Sequence, residues 1–159
     1  VKADLASLVF GTPGTPGQSQ PEPRLRILVV EDDDDIRRLN TEVLNRNGYQ
    51  VDAAEDGAVA WAALQADRYA LMITDNAMPK MTGIELLNKL RTAKMSLPVI
   101  MAAGTIPMAE FLRDPCLQPA ATLLKPYTLD ELVGTVREVL RETRPVGERA
   151  AHPSAQPMF

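Results

Sequence analysis

Residues 25–38 read LRILVVEDDDDIRR. A short apolar run ends abruptly on the acids Glu31, Asp32, Asp33, Asp34 and Asp35. An apolar run of this length is the signature of a strand buried on both faces. Beyond the acids, Ile36, Leu39, Val43 and Leu44 recur at helical spacing, and Asn47-Gly48 supplies a stop. The stretch therefore reads as strand, acidic turn, helix. Unit charges about 4 Å apart repel by ~1 kcal/mol in water and ~4 kcal/mol at an effective dielectric of 20. So dense an acidic turn needs a counter-charge.

The same alternation continues along the chain. YQVDAA (49–54) is a second strand, polar enough to suggest a sheet edge, and an Ala-rich helix over 57–66 starts at Asp56. ALMIT (70–74) is a third, buried strand ending on Asp75. Thr82-Gly-Ile-Glu85 is a capping-box pattern that opens a helix through Leu86, Leu87 and Leu90. LPVIMA (97–102) and ATLL (121–124) are strands four and five, separated by a Pro-rich stretch with room for a short helix around 107–113. Thr128 to Glu131 is a second capping box, and Leu129, Leu132, Val133, Val136, Val139 and Leu140 form one stripe of the last helix. Five successive βα units imply a parallel sheet with helices on both faces. Ligands of such sheets bind beyond the carboxyl ends of the strands, where the strand order reverses. That rule selects Glu31, Asp32, Asp75, Ala103, Gly104 and Lys125.

The flanks differ in composition. Residues 1–24 include GTPGTPGQSQPEPR and read as a linker, while 144–159 carry three prolines and read as a tail. No GK[ST] follows the N-terminal glycines, so a phosphate-binding P-loop is not expected there. With 159 residues, 45% apolar and 24% charged, the chain fits one globular domain, expected over 25–143. A net charge of −4 gives no basic face for nucleic acid. The sole histidine, His152, lies in the tail, which excludes histidine catalysis within the fold and any His/Cys zinc cluster. One cysteine, Cys116, excludes an internal disulfide and suits a reducing compartment. No apolar run reaches the roughly 20 residues of a membrane span, and no signal peptide is recognisable, so a cytoplasmic location is expected.

Three carboxylates and one ammonium converging on a crevice need a stronger cation than a lysine. Oxygen ligands without His or Cys favour Mg²⁺ (or Mn²⁺) over zinc or copper. Magnesium takes one or two carboxylates together with phosphate oxygens, and an aspartate beside it can serve as nucleophile toward phosphorus.

The segments ILVVEDD, MITDNAMPKMTG, LPVIMA and LLKPY together resemble the receiver domain of two-component response regulators, chemotaxis regulators included. The resemblance spans residues 25 to about 143. It implies a flavodoxin-like doubly wound (βα)5 fold with strand order 2-1-3-4-5. It makes Asp75 the phosphoryl acceptor, Asp32 a direct metal ligand, and Glu31 its neighbour, acting through water. The carbonyl of Ala77 falls where the family supplies a further metal ligand, and Lys125 where it holds a phosphoryl oxygen. Lys125–Pro126 matches a peptide bond that the family usually makes cis. The remaining acids, Asp33 to Asp35, are expected to cap the first helix.

Two positions depart from the family pattern. The hydroxyl residue that ends strand four is replaced by Ala103, and the aromatic residue three before the lysine by Thr122. Both halves of the usual switch are missing, so phosphorylation is expected to proceed but to reach the face of helix four and strand five weakly. Thr105, in the loop that follows, is a candidate to rotate in as a substitute hydroxyl. Trp61 and the methionines at 72, 78, 81, 95 and 101 are expected to be core packing, and Cys116 a buried filler.

The expected function is phosphoryl transfer from a sensor histidine kinase, or a histidine phosphotransfer protein, to Asp75. The chain is then an autocatalytic phosphoacceptor rather than a turnover enzyme, signalling to an unnamed downstream protein. The stretch after 143 is too short for a DNA-binding domain. Alternatives are the receiver domain of a hybrid sensor histidine kinase and a phosphorylation-independent interaction module, which Ala103 and Thr122 favour. A metal-dependent phosphatase would want a second carboxylate two residues after Asp75, where Ala77 stands.

Overall fold

The computed structural model describes residues 23–143. The expected linker and tail therefore lie outside the described residues, apart from Pro23 and Arg24, and so does His152. Five strands, β1 (Arg26–Val30), β2 (Gln50–Ala54), β3 (Leu71–Thr74), β4 (Val99–Ala103) and β5 (Ala121–Leu124), form one parallel sheet ordered β2-β1-β3-β4-β5. The helices are α1 (Asp34–Arg46), α2 (Gly57–Ala66), α3 (Gly83–Thr92), α4 (Met108–Arg113) and α5 (Leu129–Glu142), with a 3-10 turn at Pro115–Leu117. This is the flavodoxin-like order that the family resemblance implies, with β2 at an edge as its polarity suggested.

The period-two alternation of a strand divides the core into two layers. Ile27, Val29, Leu71, Ile73, Ile100 and Leu123 face α1 and α5, meeting Leu44, Leu132, Val136 and Leu140. Leu28, Val30, Met72, Val99 and Met101 face the other way, meeting Leu64, Leu86, Leu90 and Phe111. Each fully buried aliphatic side chain contributes about 1.5–3 kcal/mol, so the sheet centre is the stable frame from which the turns project.

Caps fix where each helix starts. The Asp33 carboxylate accepts from the N–H groups of Asp35 and Ile36, both at 3.0 Å, while Asp34 and Asp35 lie exposed in the first turn. The excess acids thus serve the helix N-terminus, where negative charge is favourable. Asp56 caps α2 and Thr82 caps α3. Both halves of the capping box form at Thr128 and Glu131; at Thr82 the described hydrogen bonds include only the half donated by Glu85 N–H. Gly48, at φ 92°, ends α1 in the left-handed region.

Some side chains correct the sequence reading. Cys116 is exposed rather than buried. The 3-10 turn turns Leu117 into the core instead, and the Asp114 carboxylate holds Cys116 N–H at 3.1 Å. Leu39 and Leu129 are 51% and 41% exposed, because they flank the apolar stripes of α1 and α5 rather than lie on them. Met72, Met78 and Met101 are buried, and Met81, Met95 and Trp61 pack against the same layer, as expected of core residues.

Candidate functional site

The sheet register assembles the site. β1 and β3 pair with Val30 beside Thr74, and β4 and β5 with Ala103 beside Leu124. One residue further along each strand come Glu31, Asp75 and Lys125. Each is tied to the neighbouring strand by its own backbone N–H. Glu31 donates to Ala54 O at 3.0 Å, Asp75 to Val30 O at 3.1 Å and Lys125 to Ala103 O at 2.9 Å. The three side chains therefore leave the sheet from anchored backbone at its carboxyl edge, on elements more rigid than a free loop.

There they meet. Lys125 Nζ lies 2.8 Å from Glu31 Oε2 and 2.9 Å from Asp75 Oδ2. Glu31 and Asp75 are 3% and 6% exposed, and Asp32 at the rim is exposed. Asp75 Oδ1 accepts from Asn76 N–H at 2.7 Å and Ala77 N–H at 3.3 Å, so both its oxygens are held. Burial pushes the Glu31 carboxyl above its usual range, an effect that Lys125 and the Asp33 N–H only partly offset. Burial alone would depress the Lys125 ammonium, but its hydrogen bonds to Asp75 and Glu31 outweigh that and hold its pKa above the ordinary lysine value.

Carboxylate oxygens of Glu31, Asp32 and Asp75 all lie within 4.8 Å of one another. Three carboxylates and one ammonium sum to a formal charge of −3 + 1 = −2. A hard divalent cation matches that charge and that all-oxygen donor set.

The loop from β3 to α3 is closed by Asn76, whose Oδ1 accepts from Ile84 N–H at 3.1 Å and whose carbonyl accepts from Gly83 N–H at 3.0 Å. Glycine is required at 83, because a Cβ there would run into the carbonyl oxygen of Asp75. The Lys125–Pro126 peptide bond is cis. Ala103 is buried, and Gly104, Thr105 and Thr122 are exposed.

Three supporting roles escaped the sequence reading. Arg37 donates to the Glu31 carbonyl at 2.8 Å and pairs with Asp34, bracing the turn after β1. Asp56, buried, pairs with Lys80 at 3.3 Å and ties α2 to the β3–α3 loop. Asn40, also buried, donates to Tyr127 at 2.8 Å. Its signal was available: it stands one turn from both Ile36 and Leu44, on the stripe itself.

A family model described as the response regulator receiver domain matches residues 27–137. The chain belongs to the response regulator receiver domain family. Among its relatives, response regulator MprA of Mycobacterium avium is 33% identical over 121 residues, which are 76% of this chain and 53% of MprA. The response regulator receiver protein CpdR of Brucella abortus is 34% identical over 115 residues, 72% of this chain and 96% of CpdR. The response regulator TrrA of Thermotoga maritima, solved in complex with Mg²⁺-BeF, superposes with a TM-score of 0.63 at 30% identity, covering 72% of this chain and 98% of TrrA. The receiver spans about half the length of MprA and nearly all of CpdR. No helix among the described residues is long and apolar enough to cross a membrane.

Proposed function

We propose that this receiver accepts a phosphoryl group on Asp75 from the phosphohistidine of a sensor histidine kinase or a histidine phosphotransfer protein. The observation that carries the reading is Asp75 itself: a nearly buried carboxylate with one oxygen on two backbone N–H groups and the other on Lys125, beside two further acids. A structural carboxylate would gain nothing from such like-charged neighbours. Asp32 and Asp75, with the Ala77 carbonyl and Glu31 through water, would hold Mg²⁺ (or Mn²⁺), which supplies charge neutralisation for phosphoryl oxygens when bound.

In the transfer, an Asp75 oxygen attacks phosphorus as the phosphorus–nitrogen bond to imidazole breaks, and the electron pair leaves on the imidazole nitrogen. The Asn76 and Ala77 N–H groups orient the carboxylate, so little reorganisation is needed at the moment of attack. Lys125 lets go of Asp75 and takes up an incoming phosphoryl oxygen, keeping the local charge compensated. Glu31 keeps its ammonium in place.

The domain boundaries we assign are 25–143, between a linker and a tail, in a cytoplasmic protein that carries its signal to a further protein partner. A second reading, a module that binds its partner without phosphorylation, is favoured by Ala103 and Thr122 alone. Intact mass after incubation with Mg²⁺ and acetyl phosphate separates the two. Gain of one phosphoryl group, lost in Asp75→Ala and on metal removal, supports the acceptor. No gain, with no beryllofluoride binding, supports the module.

A further inference from the structure

The buried face of α1 carries one polar residue, Asn40, 3% exposed, with Leu44 a turn away in the α1/α5 core. Its side-chain amide donates to Tyr127 Oη at 2.8 Å. Tyr127 stands two residues beyond Lys125, across Pro126. Among the described residues this is the one side-chain hydrogen bond from α1 to the segment 125–128. Otherwise a groove of about 370 Å³ runs between them, walled mainly by the apolar Ile36, Leu39, Pro126 and Leu129.

Apolar walls of this kind resist separation but do not fix a position, because the hydrophobic effect is non-directional. A hydrogen bond weakens steeply with distance and angle, and a buried amide is unfavourable without a partner. The Asn40–Tyr127 bond therefore dictates where the segment after β5 sits on α1. Lys125 is held from its other side by its N–H on Ala103 O at 2.9 Å. Between these two ties the reach of its ammonium to Asp75 and Glu31 is set.

We propose that Asn40 is a positioning residue for Lys125, acting through Tyr127. It touches neither the acids nor any phosphoryl group; its effect passes through the backbone from 127 to 125. The catalytic consequence rests on the phosphoacceptor reading above, but the positioning itself does not.

The test uses the full chain as wild type, Asn40→Leu, Tyr127→Phe and the double variant, each checked for folding by circular dichroism. The double variant leaves no unpaired polar group, so it decides the matter if a single variant fails to fold. Amine labelling with an acetylating ester is read peptide by peptide by mass spectrometry. Lys125 is expected to label about three- to tenfold faster in each variant, with the double no faster than the faster single, while exposed Lys89 and Lys94 label as in the wild type. With acetyl phosphate, the saturating rate of phosphoryl uptake falls by a similar factor. A purely structural Asn40 would lower the melting temperature and leave Lys125 labelling in the folded variants unchanged, and that result overturns the proposal. If the wild type takes up no phosphoryl group, the acceptor reading fails while Lys125 labelling still decides the positioning.

Discussion

Replacing Lys125 with methionine removes what is, among the described residues, the sole cation in direct contact with two nearly buried carboxylates. The Glu31 and Asp75 oxygens lie within 4.8 Å of each other, so at an effective dielectric of 20 their repulsion is at least ~3.5 kcal/mol. Breaking a buried pair costs about 3–5 kcal/mol, and the Lys125 side chain is 21% exposed, so water screens part of this. We expect Lys125→Met to lose about 2–4 kcal/mol of stability near pH 7.5. The loss has an outlet. Glu31, whose carboxyl is already raised by burial, takes up a proton once the ammonium is gone. A carboxyl with a raised folded pKa stabilises below its ordinary pKa, and that stabilisation disappears as pH rises through the raised value. The deficit of the variant should therefore be smaller at pH 5 than at pH 7.5, and Mg²⁺ should shrink it at pH 7.5 by binding the folded state. Urea unfolding of both proteins at the two pH values, with and without Mg²⁺, measures this directly. An equal deficit at both pH values, untouched by Mg²⁺, would refute the electrostatic account and leave only lost packing of the lysine stem.

Gly83→Ala places a methyl against the Asp75 carbonyl and 2.9 Å from Asn76 Cα, both backbone atoms that cannot swing aside. It should cost about 1–3 kcal/mol in denaturant melts and, on the proposed function, slow phosphoryl uptake together with it by displacing Asp75. Ala103→Thr puts a hydroxyl at the carboxyl end of β4, within the proposed phosphoryl site, and should tighten beryllofluoride binding by about 1–2 kcal/mol, roughly five- to thirtyfold, by fluorescence titration or calorimetry. At the opposite end of the sheet, Tyr69 donates to Asp52 at 2.7 Å beneath Arg26, and burial followed by that bond pushes its phenol up to about 12. Absorbance titration should show a tyrosinate component near pH 12 that vanishes in Tyr69→Phe. The stability Tyr69 provides should be intact below pH 10 and fade between 10 and 12.

The strands were legible because central parallel strands are apolar on both faces, and ILVV, LMI and VIMA admit few other readings. The site was legible for the same reason. A charged residue directly after such a run has to leave the sheet at its carboxyl edge, which places Glu31, Asp75 and Lys125 together without any knowledge of their rotamers. What stayed hidden depends on contacts far apart in sequence. Asn40 and Tyr127 are separated by 87 residues, and Asn40 reads as an interruption of a stripe until its partner is seen. Arg26 pairs with both Asp52 and Asp67, on a neighbouring strand and a loop, which periodicity does not report. Cys116 sits in a three-residue turn between prolines, too short for any period to say which side chain turns inward. Leu39 and Leu129 show that spacing gives the centre of a helix stripe more securely than its width.

The hydrogen bond from Lys125 N–H to the carbonyl of Ala103 joins main chain to main chain. Any residue at 103 supplies that carbonyl, so the lysine keeps its seat whatever side chain stands there. In the proposed function, phosphoryl capture by Lys125 and any relay of its arrival would thus draw on different parts of residue 103, the backbone for one and the side chain for the other. On that reading, a side-chain hydroxyl at 103 could be lost in a single step with the lysine still held in place, so that the chemistry and the message of a receiver are free to evolve apart.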